Sequence, residues 1–372
     1  MGNVDSRSKY DSGYMMVQTA QPIFNPGSTV SGSIYMRILA PIPSRDVTIE
    51  VKGAEKVSWI ERVTRHVDGR QEQHDEKHKG KKQVFKYHAP CFQFSVPTLL
   101  PGDYTIPFSF VLPAGLPSSM NFKDESTHAK PKAKVKYHVK ALLNDHSGHA
   151  VMKYKQVLIV REQGDAYQVN INTAQENRIS TWCCVDQGPS RIGVNFDKNV
   201  FEPHEVCKAF VNIDNSACNL NMQHVRLAIE QELTLKGDHN HTFRNTFTLA
   251  NKTEAGVPAR GDKDTQRLLE LDLKTIRYNA PLERKKKGVV KAVSIEDRFM
   301  MENMQPRCHG THVTNEYFLS VRCDYDGCTC CSSLPVCRVP ITIVPVINPQ
   351  VWGYQQPTDF NPQVYQSFQF QI

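Results

Sequence analysis

The chain has 372 residues, 45 basic against 38 acidic side chains, and a formal charge of +7. With 40% apolar and 22% charged residues it matches ordinary globular domains, which excludes collagen, low-complexity chain and wholesale disorder. Its length predicts two or three domains.

No run reaches the ~20 continuous apolar residues of a membrane-spanning helix. The opening MGNVDSRSKY lacks the apolar core of a signal peptide. The chain is therefore expected on the cytosolic side of membranes. There its 11 cysteines should stay free thiols, and the Asn-x-Thr sites at Asn240 and Asn251 should stay unmodified.

Period-two alternation predicts strands almost throughout. Val30, Gly32, Ile34, Met36 and Ile38 share one face; Val47, Ile49 and Val51 repeat the pattern. Ile60 to His78 carries almost no apolar stripe and reads as a charged hairpin, not a helix. Val135, Tyr137, Val139, Ala141 and Leu143 form a later strand. Further strands follow at Cys207–Ile213, Val225–Ile229, Leu269–Leu273 and Tyr317–Cys323, and only Ile295 to Met304 has helical spacing, for about two turns. Turns at Asn25-Pro26-Gly27, Leu100-Pro101-Gly102-Asp103 and Pro113-Ala114-Gly115-Leu116-Pro117 pair a proline with a glycine. Short strands, frequent turns and little helix predict antiparallel sandwiches of roughly 100–150 residues each, so the chain has room for two.

An internal echo supports two copies. Phe24-Asn25-Pro26 precedes a strand with Val30 and Ile34, and Phe201-Glu202-Pro203 precedes one with Val206 and Val211. The strands beginning at Val47 and Val225 follow at nearly equal spacing.

Leu99-Leu100-Pro101-Gly102-Asp103-Tyr104-Thr105-Ile106-Pro107-Phe108-Ser109-Phe110-Val111-Leu112-Pro113 is the most informative stretch. Pro101-Gly102 turns the chain, Ile106, Phe108 and Phe110 alternate into a core, and Pro107 suits an edge position. The stretch resembles the arrestin-domain signature. So do Leu116-Pro117-Ser118-Ser119, the strand Ala133 to Ala141, the Phe24 to Gly32 element, and Trp182-Cys183-Cys184 followed by Gly188-Pro189. The resemblance is closest to the α-arrestins and covers about residues 14 to 346.

It implies an all-β protein of two tandem antiparallel immunoglobulin-like β-sandwiches, the arrestin fold, with a short extended C-terminal tail. The expected division is an N-terminal segment 1–13, an N-domain 14–162, a connector 163–177, a C-domain 178–346 and a tail 347–372. The resemblance further implies a non-enzymatic adaptor that binds membrane cargo, receptors or trafficking machinery. Many α-arrestins recruit ubiquitin ligases through Pro-Pro-x-Tyr motifs, and this chain contains none. The buried charge cluster of visual and β-arrestins does not map here residue by residue, so no phosphate sensor is carried over.

Met1-Gly2-Asn3-Val4-Asp5-Ser6 fits the myristoylation pattern, with Gly2 the acylated residue. One such chain binds membranes only marginally, at about 10⁴ M⁻¹, so a second signal is needed. Basic clusters offer it: Lys77, Lys79, Lys81 and Lys82; Lys130, Lys132, Lys134 and Lys136; and Arg284, Lys285, Lys286 and Lys287. The second alternates with Ala133, Val135 and Tyr137 and reads as the wet face of a strand. The third is the better contact for an anionic membrane or a phosphopeptide. No aromatic-basic interleaving accompanies these runs, so nucleic acid is not the expected partner.

Cys323, Cys328, Cys330, Cys331 and Cys337 are the candidates for a metal, with Cys308 and His309 nearby. Their spacing fits poorly with the separated Cys pairs of zinc sites, so free or acylated thiols are expected and no metal. Cys183 and Cys184 fall between the domains. Gly-x-Ser-x-Gly, a phosphate loop and His-Glu-x-x-His are all missing from the sequence, and no cofactor or small-molecule substrate is expected. His74 and His78 share one charged loop and His239 and His241 another, and all read as surface histidines.

Asn348-Pro349-Gln350-Val351-Trp352 recurs as Asn361-Pro362-Gln363-Val364-Tyr365. Such a tail suits docking into a groove, adding a strand to another sheet, or folding back on the C-terminal sandwich. Tyr365 and Phe368 form a Y-x-x-Φ sorting pattern. The resulting expectation is an adaptor attached peripherally to the plasma membrane or endosomes. The alternative is a structural subunit of a fixed coat, resembling retromer's arrestin-like component.

Overall fold

Inward-facing apolar residues at every second position turn most of this chain into strands, and two pairs of sheets bury them. The computed structural model describes residues 8–67, 70–182, 185–261, 265–276, 283–286, 289–292, 300, 304–329, 332–344 and 363–364. In the first unit the strands are β1 Ser8–Tyr10, β2 Gly13–Thr19, β3 Ile23–Phe24, β4 Thr29–Ile38, β5 Ile42–Pro43, β6 Asp46–Val67, β7 Arg70–Gln93, β8 Thr98–Leu99, β9 Gly102–Val111, β10 Met120–Lys123, β11 Lys132–Asn144 and β12 Ala150–Val160. The second unit has β13 Val169–Thr181, β14 Val185–Lys198, β15 Val200–Phe201, β16 Val206–Asp214, β17 Met222–Lys236, β18 Thr242–Ala255, β19 Thr265–Asp272, β20 Glu283–Lys286, β21 Val289–Ala292, β22 Cys308–His309, β23 Val313–Tyr325 and β24 Val336–Ile343; a last strand is β25 Gln363–Val364. The segment expected as a connector is part strand, since β13 begins at Val169.

The two units repeat one topology. Strand order β3-β12-β11-β6-β7 in the first matches β15-β24-β23-β17-β18 in the second, and β2-β4-β9 matches β14-β16-β19. The echo at Phe24 and Phe201 has a structural basis. Each Phe ends a two-residue strand that pairs parallel with the last long strand of its unit, Phe24 beside Val160 and Phe201 beside Ile343. Both rings are buried, which explains why the motif recurs.

Each core lies between the sheets of its unit. Val30, Ile34, Met36 and Ile38 face Val47, Ile49, Val51, Val135, Tyr137 and Val139, all buried. In the second unit Phe196, Val211, Ile229, Leu269, Leu319 and Ile341 do the same work. Tyr137 is fully buried without an orphaned hydroxyl, because its O–H donates to the Pro117 carbonyl at 2.6 Å.

The signature stretch is β9. Ile106, Phe108 and Phe110 are buried and the two Phe rings stack with centroids 6.1 Å apart. β9 pairs with β4 along its whole length and, on its other edge, among the described residues, with β25 at Tyr104 and Thr105. That open edge explains the tolerance for Pro107, whose nitrogen has no hydrogen to donate. It also corrects one expectation for the tail. Gln363–Val364 adds a parallel strand to the first unit's sheet and not to the C-terminal sandwich, because β9 offers unpaired main-chain groups there.

The charged hairpin expected over Ile60 to His78 is the distal part of a longer one made by the 22-residue β6 and the 24-residue β7, and Gln266 to Asp272 is strand. The helical spacing over 295–304 falls mostly outside the described residues. Truncating Phe110 to Ala should destabilise the first unit by about 3–5 kcal/mol, read from the denaturant midpoint.

Candidate functional site: the seam between the two units

The seam is built on residues that alternation places inward on β6. Val47, Ile49 and Val51 are buried there as expected, Val57 and Trp59 continue the file, and Glu55 sits in it at 2% exposure. Its carboxylate leaves the first unit's core and meets the turn between β22 and β23. Thr311 N donates to Oε1 at 3.1 Å and His312 N to Oε2 at 2.8 Å. A buried carboxylate is tolerable only when such donors replace its water, so Glu55 holds the turn in place.

Further bonds continue the line. Lys82 Nζ donates to Thr311 Oγ1 at 2.8 Å, Asp238 N donates to the Lys79 carbonyl at 2.9 Å, and Lys81 N donates to Asp238 Oδ1 at 3.2 Å. Here the strands come too close for a side chain. A Cβ on Gly80 would lie 2.7 Å from the Lys236 carbonyl oxygen, and one on Gly310 would lie 2.6 Å from Glu55 Oε2. Apolar groups fill the space behind. Leu233, Leu235, Cys308 and Val313 of the second unit belong to the first unit's core cluster, and Phe122 packs on Phe247 at 5.6 Å.

At the other end, Glu162 accepts from Ser118 N at 2.8 Å and His309 N at 2.7 Å, and its second oxygen is 2.8 Å from His309 Nδ1. His309 Nε2 lies 3.1 Å from Glu316. Partial burial pushes the His309 imidazole down, but hydrogen bonds to Glu162 and Glu316 outweigh it and leave the ring above its ordinary value. Beside it, Arg161 is buried; Nη1 donates to the Ser119 carbonyl at 2.5 Å while Nε has no hydrogen-bond partner. Burial lowers its guanidinium to about 10. Asn121 N and Gln305 Oε1, 2.9 Å apart, also join the units.

The sequence-predicted sites are scattered. Arg284, Lys285 and Lys286 form β20, paired with β21 through Arg284 and Lys291, Lys285 and Val290, and Lys286 and Val289. Lys287, Gly2, Tyr365, Phe368, Cys330, Cys331, Cys183 and Cys184 lie outside the described residues. The three described cysteines of that set, Cys323, Cys328 and Cys337, do not share one environment. Cys323 and Cys337 are buried in the second core, and burial pushes the Cys323 thiol up to about 12, so it stays protonated. Cys328 is half-buried at the tip, where its carbonyl accepts from Trp182 N at 3.2 Å. Lys132 faces solvent while Ala133, Val135 and Tyr137 are buried, as alternation required.

Two of the histidines read as surface residues are not isolated. His78, with a side chain 10% exposed, stacks on His241 of the other unit with ring centroids 4.1 Å apart. The seam residues Glu55 and Glu162 were missed, and His309 was singled out only as a neighbour of the candidate metal cysteines. The available signal was an acidic residue at an inward position of an apolar strand, and Glu55 carries it.

The outer face of the β13-β14-β16-β19 sheet is open. A hollow of about 430 Å³ is lined there by Asn172, Asn195, Phe210 and Asn212. Phe210 and its cross-strand partner Leu268 are both exposed on this sheet.

Glu55→Ala should cost about 1–3 kcal/mol for each main-chain N–H left without an acceptor, with faster amide exchange at Thr311 and His312. His309 binds its proton more tightly folded than unfolded. Its contribution is fully present below the unfolded value of about 6.5 and is lost as pH rises through the raised folded value. The thermal midpoint of the intact chain should therefore fall more across that window than that of His309→Gln.

Family models match both units. The N-terminal domain of arrestin (or S-antigen) matches residues 15–165 and the C-terminal domain matches residues 186–348. A relative, "Arrestin domain-containing protein A" of Dictyostelium discoideum, is 23% identical over 238 residues, covering 63% of this chain and 39% of that protein. The match thus spans well under half of the relative's length. With two clamped sandwiches of one topology and a family match to each, this chain belongs to the arrestin-domain family.

Proposed function

We propose that this protein is a non-enzymatic adaptor at the cytosolic face of membranes, linking membrane cargo or receptors to trafficking, ubiquitination or signalling machinery. Arrestin-family proteins are in general non-enzymatic adaptors, and both arrestin domains are present. The observation that carries the reading is the seam. It joins two sandwiches into one platform while leaving the 430 Å³ sheet hollow available for extended or folded partners. The domains of this reading are 14–162 and 178–346, joined by 163–177 and followed by the tail.

Two attachments complete it. Gly2 carries the acyl chain, and Arg284, Lys285, Lys286 and Lys287 face an anionic leaflet, where each charge contributes about 1 kcal/mol. Tyr365 and Phe368 supply a sorting contact. A fixed coat-like subunit is the second reading, favoured by the missing Pro-Pro-x-Tyr motif.

Purification from the native cell without crosslinking, followed by a high-salt wash, separates the two: an adaptor releases its partners, whereas a fixed subunit keeps them in stoichiometric amount. Gly2→Ala should move the protein from the membrane to the soluble fraction. Replacing Lys285, Lys286 and Lys287 with Gln should weaken binding to phosphatidylserine vesicles by about fivefold per charge at low salt. Equal binding by both variants would sink the membrane reading.

A further inference from the structure

We propose that Glu61, His78 and His241 form a divalent transition-metal site that staples the β6–β7 hairpin of the first unit to the β17–β18 turn of the second.

The hairpin register builds half of it. Trp59 pairs with His78 and Glu61 with Glu76, so Glu61 and His78 are diagonal neighbours on one face of the ribbon. The other half comes from the turn after β17. Gly237 N donates to the His241 carbonyl at 2.8 Å, and Asp238 N donates to Lys79 of the hairpin, which brings His241 over His78. Gly237 has the tip of the Trp59 ring against it, with 3.2 Å left for a Cβ. The hollow that results, about 530 Å³, is lined by Glu76, Lys77, His78, Asp238 and His241.

The donors converge. One ligand atom from each of Glu61, His78 and His241 lies within 4.8 Å of the other two. Tetrahedral zinc with bonds of about 2.0–2.1 Å needs donors about 3.3–3.4 Å apart, so Glu61 Oε2 and His78 Nε2, now 2.9 Å apart, open slightly, and no spacing in the set has to close by more than about 1.5 Å. Glu61 and His241 are exposed. His78 is fixed between Trp59, at 5.3 Å, and His241. Its Nε2 is buried with no hydrogen-bond partner, although Glu61 Oε2 lies 2.9 Å away out of hydrogen-bond alignment. A buried imidazole nitrogen and a carboxylate oxygen held this close without an aligned hydrogen bond suit a shared cation.

Two imidazoles and one carboxylate form a borderline donor set that selects zinc and its neighbours over calcium or magnesium. The nearby carboxylates are committed elsewhere: Glu76 to His74 and Arg65, Asp238 to Lys81 N. Water therefore completes the coordination. Because the ligands come from both units, binding fixes the angle between the sandwiches.

The test uses the full chain, freed of any histidine tag and stripped with chelator, titrated with Zn²⁺ against a chromogenic competitor. One site per chain is expected. His241→Ala and Glu61→Gln should each weaken it by at least ~10-fold. The double variant Cys330→Ser/Cys331→Ser should leave it unchanged. Zinc should also slow amide exchange at Gly237 to His241 in the wild type and not in His241→Ala. His241 lies on an exposed turn, and an unchanged thermal midpoint without metal shows that its variant folds. Zinc binding that is absent, that survives both His241→Ala and Glu61→Gln, or that disappears only with the cysteines overturns the proposal and leaves an ion pair and a ring stack.

Discussion

Glu55 spends both carboxylate oxygens on main-chain amides of the opposite unit, at a depth where water cannot substitute for them. Removing a buried acceptor strands its donors, so the bond resists opening far more than an exposed ion pair of similar length. The other seam features depend on that approach. Gly80 and Gly310 leave room for it, Lys82 and Asp238 extend it, and the cross-unit packing of Leu233, Leu235 and Val313 excludes water around it. A platform whose halves keep a fixed angle presents its outer sheet faces as one surface.

The repeat explains both what the units share and where they differ. Both use the same strand order and the same buried Phe on a short parallel strand. Their hairpins carry different loads. β6 and β7 of the first unit run well past its core and supply Glu55, Trp59, His78 and Gly80 to the seam. In the second unit, the end of β17 and the turn to β18 receive Trp59, His78 and Gly80, while the turn between β22 and β23 receives Glu55. The charged half of the long hairpin buries little in its own sandwich, and its position follows from the partner unit.

Buried polar groups are concentrated where strands must hold one register. Glu230, at 3% exposure, takes Arg322 at 2.8 Å and Arg338 at 3.1 Å, and the Arg338 guanidinium lies 3.5 Å above the Phe318 ring. Gln231 donates to Asn315 at 2.7 Å, and Asn315 donates in turn to the Pro306 carbonyl. Such networks add modestly to stability but penalise any slip of β17 against β23, since a one-residue shift would bury the charges unpaired.

Strands, turns and the two cores were readable from residue order, because an alternating file of apolar side chains has one sensible fate in water. Phe24 and Phe201 announced the duplication, and Leu99 to Pro113 announced the family. The seam was not readable in the same way. Glu55 signals an inward carboxylate but not its acceptor role toward Thr311 and His312, which are more than 250 positions along the chain. His78 and His241 each look like a solvated histidine in a charged turn, and nothing local to either shows that they stack. Short-range pattern determined which side chains point inward, while the docking of one sandwich on the other decided which of them meet, since that geometry is set by close backbone approach and burial summed over both units.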